Sequence, residues 1–260
     1  MPATLNSQRL AVIAGTTVPE GIGPLSAHLP LLDDLRLLPH LGSAGLLYRQ
    51  FAQLAVTSRV YGLHRLGFAH TEESYQRLKP RLLRFAGGQM IDLIGDSQGG
   101  LVAVRFASEF PHLVGHLVLL STPLDGAPAA YVVDTPGTRC MRPGSRYIQR
   151  IRAELAEILE LPNGPSVWCV SSGHDYLVPH HSAGFDHPSM RGPQKRNLCL
   201  AHDGHQLLHD MWELVPVADG RYRNHITEVF LRHTGRAIAT ILAQPSREQV
   251  VVKRFRRRAA

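Results

Sequence analysis

Ser97 stands in Gly95-Asp96-Ser97-Gln98-Gly99, a G-x-S-x-G pattern set between the apolar run Met90-Ile91-Asp92-Leu93-Ile94 and the apolar stretch Leu101-Val102-Ala103-Val104. A strand before the serine and a helix after it form a sharp turn that lifts the hydroxyl above a sheet edge, and small flanking residues let the chain pack around it. The N-terminus of that helix then offers free N–H groups and a positive dipole end to negative charge developing on a substrate. The pattern alone is common, and its frame of strand and helix is what makes Ser97 the candidate nucleophile. A glycine-rich turn of a dinucleotide-binding fold is the plainer alternative, but neither a G-x-G-x-x-G nor a phosphate-loop lysine supports it.

A serine hydroxyl is a poor nucleophile until an imidazole takes its proton, and the imidazole needs a carboxylate to fix its tautomer and stabilise its cation. Two later segments carry these residue types. The apolar run Val167-Trp168-Cys169-Val170 leads into a loop with Asp175, at the carboxyl end of a strand, where catalytic groups gather in parallel sheets. Asp186 is the reserve, and a loop-capping aspartate is the bland reading. Asn197-Leu198-Cys199-Leu200-Ala201 reads as a strand that enters a turn with His202, Asp203, Gly204 and His205, and His209 and Asp210 follow. The spacing of His202, His205 and His209 admits a metal reading, but H-E-x-x-H is absent and no metal is expected.

The remaining elements alternate at the spacing of βαβ crossovers. Leu10 to Ala14 reads as a buried strand closed by Gly15, residues Leu46 to Thr57 as a helix, and Arg59 to Leu63 as a strand. Thr71 reads as an N-cap with Glu72 and Glu73 in the first turn of a helix through Phe85, kinked or interrupted at Pro80. Gln98 to Phe110 reads as a helix, His116 to Leu120 as a strand, and Ile226 to Leu242 as a closing helix. Such alternation implies a mostly parallel, doubly wound sheet covered on both faces. From Pro123 to Pro165 the pattern breaks into a Pro- and Gly-rich loop and then a helix near Tyr147 to Leu161. This is the look of a short helical cap inserted over the sheet.

Gly95-Asp96-Ser97-Gln98-Gly99-Gly100, followed by a strand and then Ser121-Thr122-Pro123-Leu124-Asp125-Gly126-Ala127, resembles bacterial lipases and related esterases of the α/β-hydrolase superfamily over residues 10–210. That resemblance implies an α/β-hydrolase fold and a catalytic order of serine, acid, histidine. Asp175 lies in a segment similar to the family's acid loop, and His205, which follows Gly204, matches its catalytic histidine. The backbone N–H of Gln98 and that of Thr16, with Thr17 second, match its oxyanion donors. The chain departs from the family at Asp96, where His or Tyr is usual, and in having no HGGG loop.

The insertion carries Tyr131, Val132, Val133, Met141 and Tyr147, together with a helix whose apolar stripe is Ile148, Ile151, Leu155 and Ile158. Tyr131, Met141 and Tyr147 are the candidate substrate contacts if this segment lines an apolar acyl site, and the stripe is ordinary core if it does not. The 260 residues suit one domain, taken as residues 1–245, with a basic tail at 246–260. Of the net charge of +7, five positive charges, Lys253, Arg254, Arg256, Arg257 and Arg258, lie in that tail, so the remainder is only +2 (7 − 5) and nucleic acid is not an expected partner. For the tail a solvated mobile end is the plain reading and weak contact with an anionic membrane the functional one. No signal peptide or membrane span is visible and the three cysteines lack metal spacing, so a cytoplasmic location is expected. The resulting expectation is a serine hydrolase of small-molecule or lipid esters that needs no cofactor. Alternatives are a thioesterase or amide hydrolase with the same triad, or a non-catalytic binding protein of the same fold.

Overall fold

The computed structural model describes residues 9–13, 15, 57–63, 69–172, 175, 177–191, 197–200, 238 and 240–244. Six strands, β1 (Arg9–Ile13), β2 (Thr57–Tyr61), β3 (Ile91–Asp96), β4 (Val114–Leu120), β5 (Ser166–Ser172) and β6 (Asn197–Leu200), form one sheet in the order β2-β1-β3-β4-β5-β6. Every pairing is parallel. The chain steps outward from β1 to β2 and then returns to the other side of β1 with β3. The strand order therefore reverses between β1 and β3, and open parallel sheets bind ligands beyond the carboxyl ends of strands at such a point.

Alternate residues of β1, β3, β4 and β5 enter two cores, because successive side chains point to opposite faces. Ala11, Ile13, Leu93, Leu117, Leu119, Val167 and Cys169 join the larger core, together with α1 (Thr71–Ala86), α2 (Gln98–Glu109) and α4 (Arg146–Glu160). Leu10, Val12, Ile94, Val118, Leu120, Trp168 and Val170 face the other way, onto Ile238, Ile241 and Leu242 of the closing helix. The uninterrupted apolar runs of the sequence follow from this two-sided burial.

Four sequence expectations are corrected. The N-cap of α1 is His70, whose Nδ1 accepts from Glu72 N at 3.1 Å, while Thr71 is the first helical residue. The Thr71 hydroxyl is buried and committed to more distant partners, so it is not the capping group. Pro80 does not interrupt α1. It sits on the exposed side, where water can satisfy the carbonyl deprived of its donor. Thr57 begins β2, paired with Arg9, instead of ending a helix. The insertion holds a helix the sequence reading did not foresee, α3 (Pro136–Met141), started by a capping box between Thr135 and Thr138. The expected helix at residues 46–56 lies outside the described residues.

A charged cluster ties α1, α2 and α4 together. Arg105 of α2 donates to Glu72 of α1 at 3.0 Å and to Glu154 of α4 at 2.7 Å, and Arg150 donates to Glu154 at 2.9 Å. Burial alone would weaken the charge on Arg105, but the two carboxylates outweigh it and hold the guanidinium more firmly protonated. Cys169 is buried, and burial pushes its thiol up to about 12, which suits an inert core cysteine. Among the described residues no helix is long and apolar enough to cross a membrane.

Candidate active site

Ser97 occupies the turn between β3 and α2 with φ 51° and ψ −124°. A non-glycine residue at positive φ costs about 1–3 kcal/mol and persists only where its surroundings over-determine it. Those surroundings are visible. The Ser97 N–H donates to Leu120 O of β4 at 2.8 Å, and the Ser97 carbonyl accepts from Gly100 N at 3.0 Å. Behind the turn, a Cβ on Gly95 would lie 2.5 Å from Gly100 Cα, and one on Gly100 would lie 1.8 Å from Thr122 Oγ1. Only hydrogen atoms fit at either position. Ser97 is the N-cap of α2 yet makes no side-chain capping bond, so its hydroxyl is not consumed by its own helix.

Gly15, just past β1, packs against this turn so closely that a Cβ there would lie 2.7 Å from Ser97 Cβ. Its N–H donates to Asp96 Oδ2 at 3.3 Å. Asp96, which departs from the pattern of the resemblance, therefore has a local use, linking Gly15 to the turn at Ser97. Thr16, the second expected oxyanion donor, lies outside the described residues, as does Thr17.

Gln98 is fully buried at the start of α2. Its backbone N–H is the first after Ser97, the candidate nucleophile, which is the usual place for an oxyanion donor. Its side chain donates through Nε2 to Thr71 Oγ1 at 3.0 Å, and Thr71 Oγ1 lies 2.8 Å from Cys140 Sγ of α3, which donates to Gly137 O at 2.9 Å. A chain of buried polar contacts thus joins the turn at Ser97, the start of α1 and the insertion. Sequence reasoning gave Thr71, Thr122 and Cys140 no part in holding this turn, because the contacts that tie them to it span 27 to 69 residues.

Asp175 follows β5 and is 6% exposed, with Oδ1 accepting from Leu177 N at 2.9 Å and Val178 N at 2.8 Å. Register carries the site from strand to strand. Asp96 pairs with Leu120, and the Ser121 N–H donates to Val170 O at 2.8 Å. Ser97, Gln98, Gly15 and Asp175 therefore all lie at the carboxyl edge of the sheet. Asp186, the reserve acid, is exposed and paired with Arg191. His205, with His202 and His209, lies outside the described residues, and among the described residues no group of three or more His, Cys, Asp or Glu could hold a metal ion.

Of the candidate substrate contacts, Met141 and Tyr147 are buried in the larger core, and the Tyr147 ring stands edge-on to His70 at 5.1 Å. The stripe Ile148, Ile151, Leu155 and Ile158 is likewise core. Tyr131 is instead 60% exposed, beneath the Arg142 guanidinium.

No protein-family model and no curated protein sequence matches the chain. Solved structures do. A structure of the metagenome-derived lipolytic enzymes LipS and LipT is 15% identical with a TM-score of 0.50, over 77% of this chain and 86% of that one. The chain has the α/β-hydrolase fold. Two further α/β-hydrolase neighbours are the monoacylglycerol lipase of Paleococcus ferrophilus, 14% identical, TM-score 0.49, over 86% of this chain and 94% of that one, and the phospholipase PlaB of Legionella pneumophila. PlaB is 12% identical with a TM-score of 0.48 over 69% of this chain, which spans only 44% of the phospholipase. The β3–α2 turn has the strand–turn–helix shape of an elbow with Ser97 at its corner, and Asp175 stands just past the carboxyl end of β5.

Proposed function

We propose that this protein is a serine hydrolase of carboxylic esters. The observation that carries the reading is Ser97, held at positive φ between β3 and the N-terminus of α2 with its hydroxyl outside any capping bond, on the same sheet edge as buried Asp175. In this reading Ser97 Oγ attacks the ester carbonyl while His205 takes its proton. The tetrahedral oxyanion is met by the N–H groups of Gln98 and Thr16, and collapse expels the alcohol, which takes its proton from His205. Water, deprotonated by the same histidine, then releases the acid and restores Ser97. Asp175, fixed by two backbone N–H groups, orients the imidazole and stabilises its cation. No step calls for a cofactor.

The test is labelling with a fluorophosphonate, followed by turnover of p-nitrophenyl esters of graded acyl length, with thioester and amide counterparts in the same panel. The wild-type chain should label and turn over esters, and Ser97→Ala should do neither while keeping its fold. Because the three residues act as a unit, Asp175→Ala and His205→Ala should each lose several orders of magnitude in kcat, and the double variant should lose little more than the worse single. Full labelling of Ser97→Ala would remove the nucleophile assignment. An inactive His202→Ala beside a near-normal His205→Ala would move the base.

A further inference from the structure

The exposed large apolar side chains among the described residues are Tyr131 at 60%, Val132 at 83%, Val133 at 49% and Leu161 at 37%. Three of the four are consecutive, the last residue of the 3-10 turn Pro128–Tyr131 and the two that follow it toward α3, and they make an exposed tip on the insertion. The backbone of this tip is fixed by three hydrogen bonds. The Val132 N–H donates to Ala129 O at 3.1 Å, Thr138 Oγ1 donates to Val133 O at 2.6 Å, and Arg142 Nε donates to Ala130 O at 3.3 Å. The capping box of Thr135 and Thr138 fixes α3 directly behind it. The apolar residues are therefore presented in advance, and less ordering is left to occur on contact with a partner.

The surrounding charge is one-sided. Between residues 128 and 146 the chain has Arg139, Arg142 and Arg146 against Asp134 alone, a net charge of +2 (3 − 1). Asp134 is shared by Arg139 at 2.6 Å and Arg142 at 2.7 Å. Arg146 is exposed and has no ion pair among the described residues. Arg142 also lies over the Tyr131 ring, 5.0 Å from its centre. Two exposed valines next to an exposed tyrosine that carries an arginine over its ring are the residue types that a bilayer surface receives. Apolar groups enter the acyl boundary, the amphipathic ring sits at headgroup depth, and cations meet anionic headgroups.

We propose that the Tyr131-Val132-Val133 tip docks the protein on an anionic lipid bilayer. A second copy of the chain is the poorer occupant, since three side chains supply far less than the roughly 800 Å² per partner of a stable interface. Two like-charged tips would also repel. The inference stands on exposure and charge and does not need Ser97 to be a nucleophile, so it can fail or succeed separately from the hydrolase reading.

The experiment is co-sedimentation of the full chain, carrying Ser97→Ala so that no lipid is consumed, with two kinds of vesicle. One is phosphatidylcholine alone, and the other contains about one third phosphatidylglycerol. The chain should bind the anionic vesicles and lose binding as salt rises. Val132→Ser with Val133→Ser should weaken that binding roughly tenfold or more, and Arg146→Gln should weaken it on anionic vesicles only. Thermal unfolding should match the parent chain in both variants, because the altered side chains already lie in water. The proposal is overturned if the full chain binds neither vesicle, or if the double serine variant binds as well as the parent, which would assign binding to the basic tail. It is equally overturned if the double serine variant changes the oligomeric state in sedimentation velocity, which would make the tip a contact between copies.

Discussion

Gly100→Ala tests the packing that forces Ser97 into its strained turn. A Cβ at this position would lie 1.8 Å from Thr122 Oγ1, 2.6 Å from its Cγ2 and 2.7 Å from its Cβ, and Thr122 is itself fully buried. Overpacking of a buried site costs about 1–3 kcal/mol, and so close an approach belongs at the upper end. Alanine for glycine inside a helix returns about 1 kcal/mol, so the variant should be less stable by about 2 kcal/mol. Thr122→Ala removes the two nearest atoms and gives up only long hydrogen bonds, 3.5 Å to Gly95 O and 3.4 Å to Leu120 O. The double variant Gly100→Ala with Thr122→Ala should therefore recover most of the loss, a coupling of about 1–2 kcal/mol. Gly95→Ala is the control. Its Cβ would meet Gly100 Cα at 2.5 Å, Gly100 N at 2.8 Å and Gly99 O at 2.9 Å, all backbone atoms that no side-chain truncation can remove. Urea unfolding at constant m-value measures each arm of the cycle, and the rate of fluorophosphonate labelling reports the elbow itself. A Gly100→Ala chain as stable as the parent, or a Gly95→Ala chain rescued equally well by Thr122→Ala, would refute the packing argument.

Two further predictions concern the elements that hold the elbow. Thr71→Val keeps the shape of the side chain but removes the acceptor of Gln98 Nε2 and the partner of Cys140 Sγ, and should cost about 1–3 kcal/mol in urea unfolding. Thr71→Ser should restore most of it, and equal stability of the two variants would mean that the polar chain contributes nothing. For Glu72, burial raises the carboxyl, but hydrogen bonds from Arg105 and Gln76 and the charges of Arg105 and Arg150 outweigh it and hold the group below its ordinary 4.5. Its stabilisation is therefore present above the unfolded value and is lost as pH falls through the lowered folded one. Glu72→Gln should be less stable than the parent at neutral pH and converge with it in acid, whereas parallel stability–pH curves would exclude that origin.

Much of the sheet was legible because a parallel strand covered on both faces must be apolar on both, which leaves runs such as Leu117 to Leu120 and Val167 to Val170 plain in one dimension. The turn itself was legible for the same reason, as a glycine-flanked serine between such a run and a helix. What sequence could not reveal are the choices decided by distant partners. Thr71 is a better N-cap than His70 by residue type, yet its hydroxyl is needed by Gln98, 27 residues on, and the cap falls to the histidine. Asp96 looked like a deviation, and only the return of β1 beside β3 brings Gly15 to its carboxylate, 81 residues away in sequence. The insertion shows the limit most sharply. Its helical apolar stripe and its Tyr-Val-Val tip are equally apolar in sequence, so both could be read as an acyl-site lining. Periodicity distinguishes a helix from a loop but not a core from a surface. The stripe is buried because α4 packs on α2 through the Arg105–Glu154 pair and the shared core. The tip is exposed, and its backbone is bonded by Thr138 of α3 and by Arg142 just after it. Two segments of one composition thus lie in opposite environments, and the polar contacts that differ between them are visible only in three dimensions.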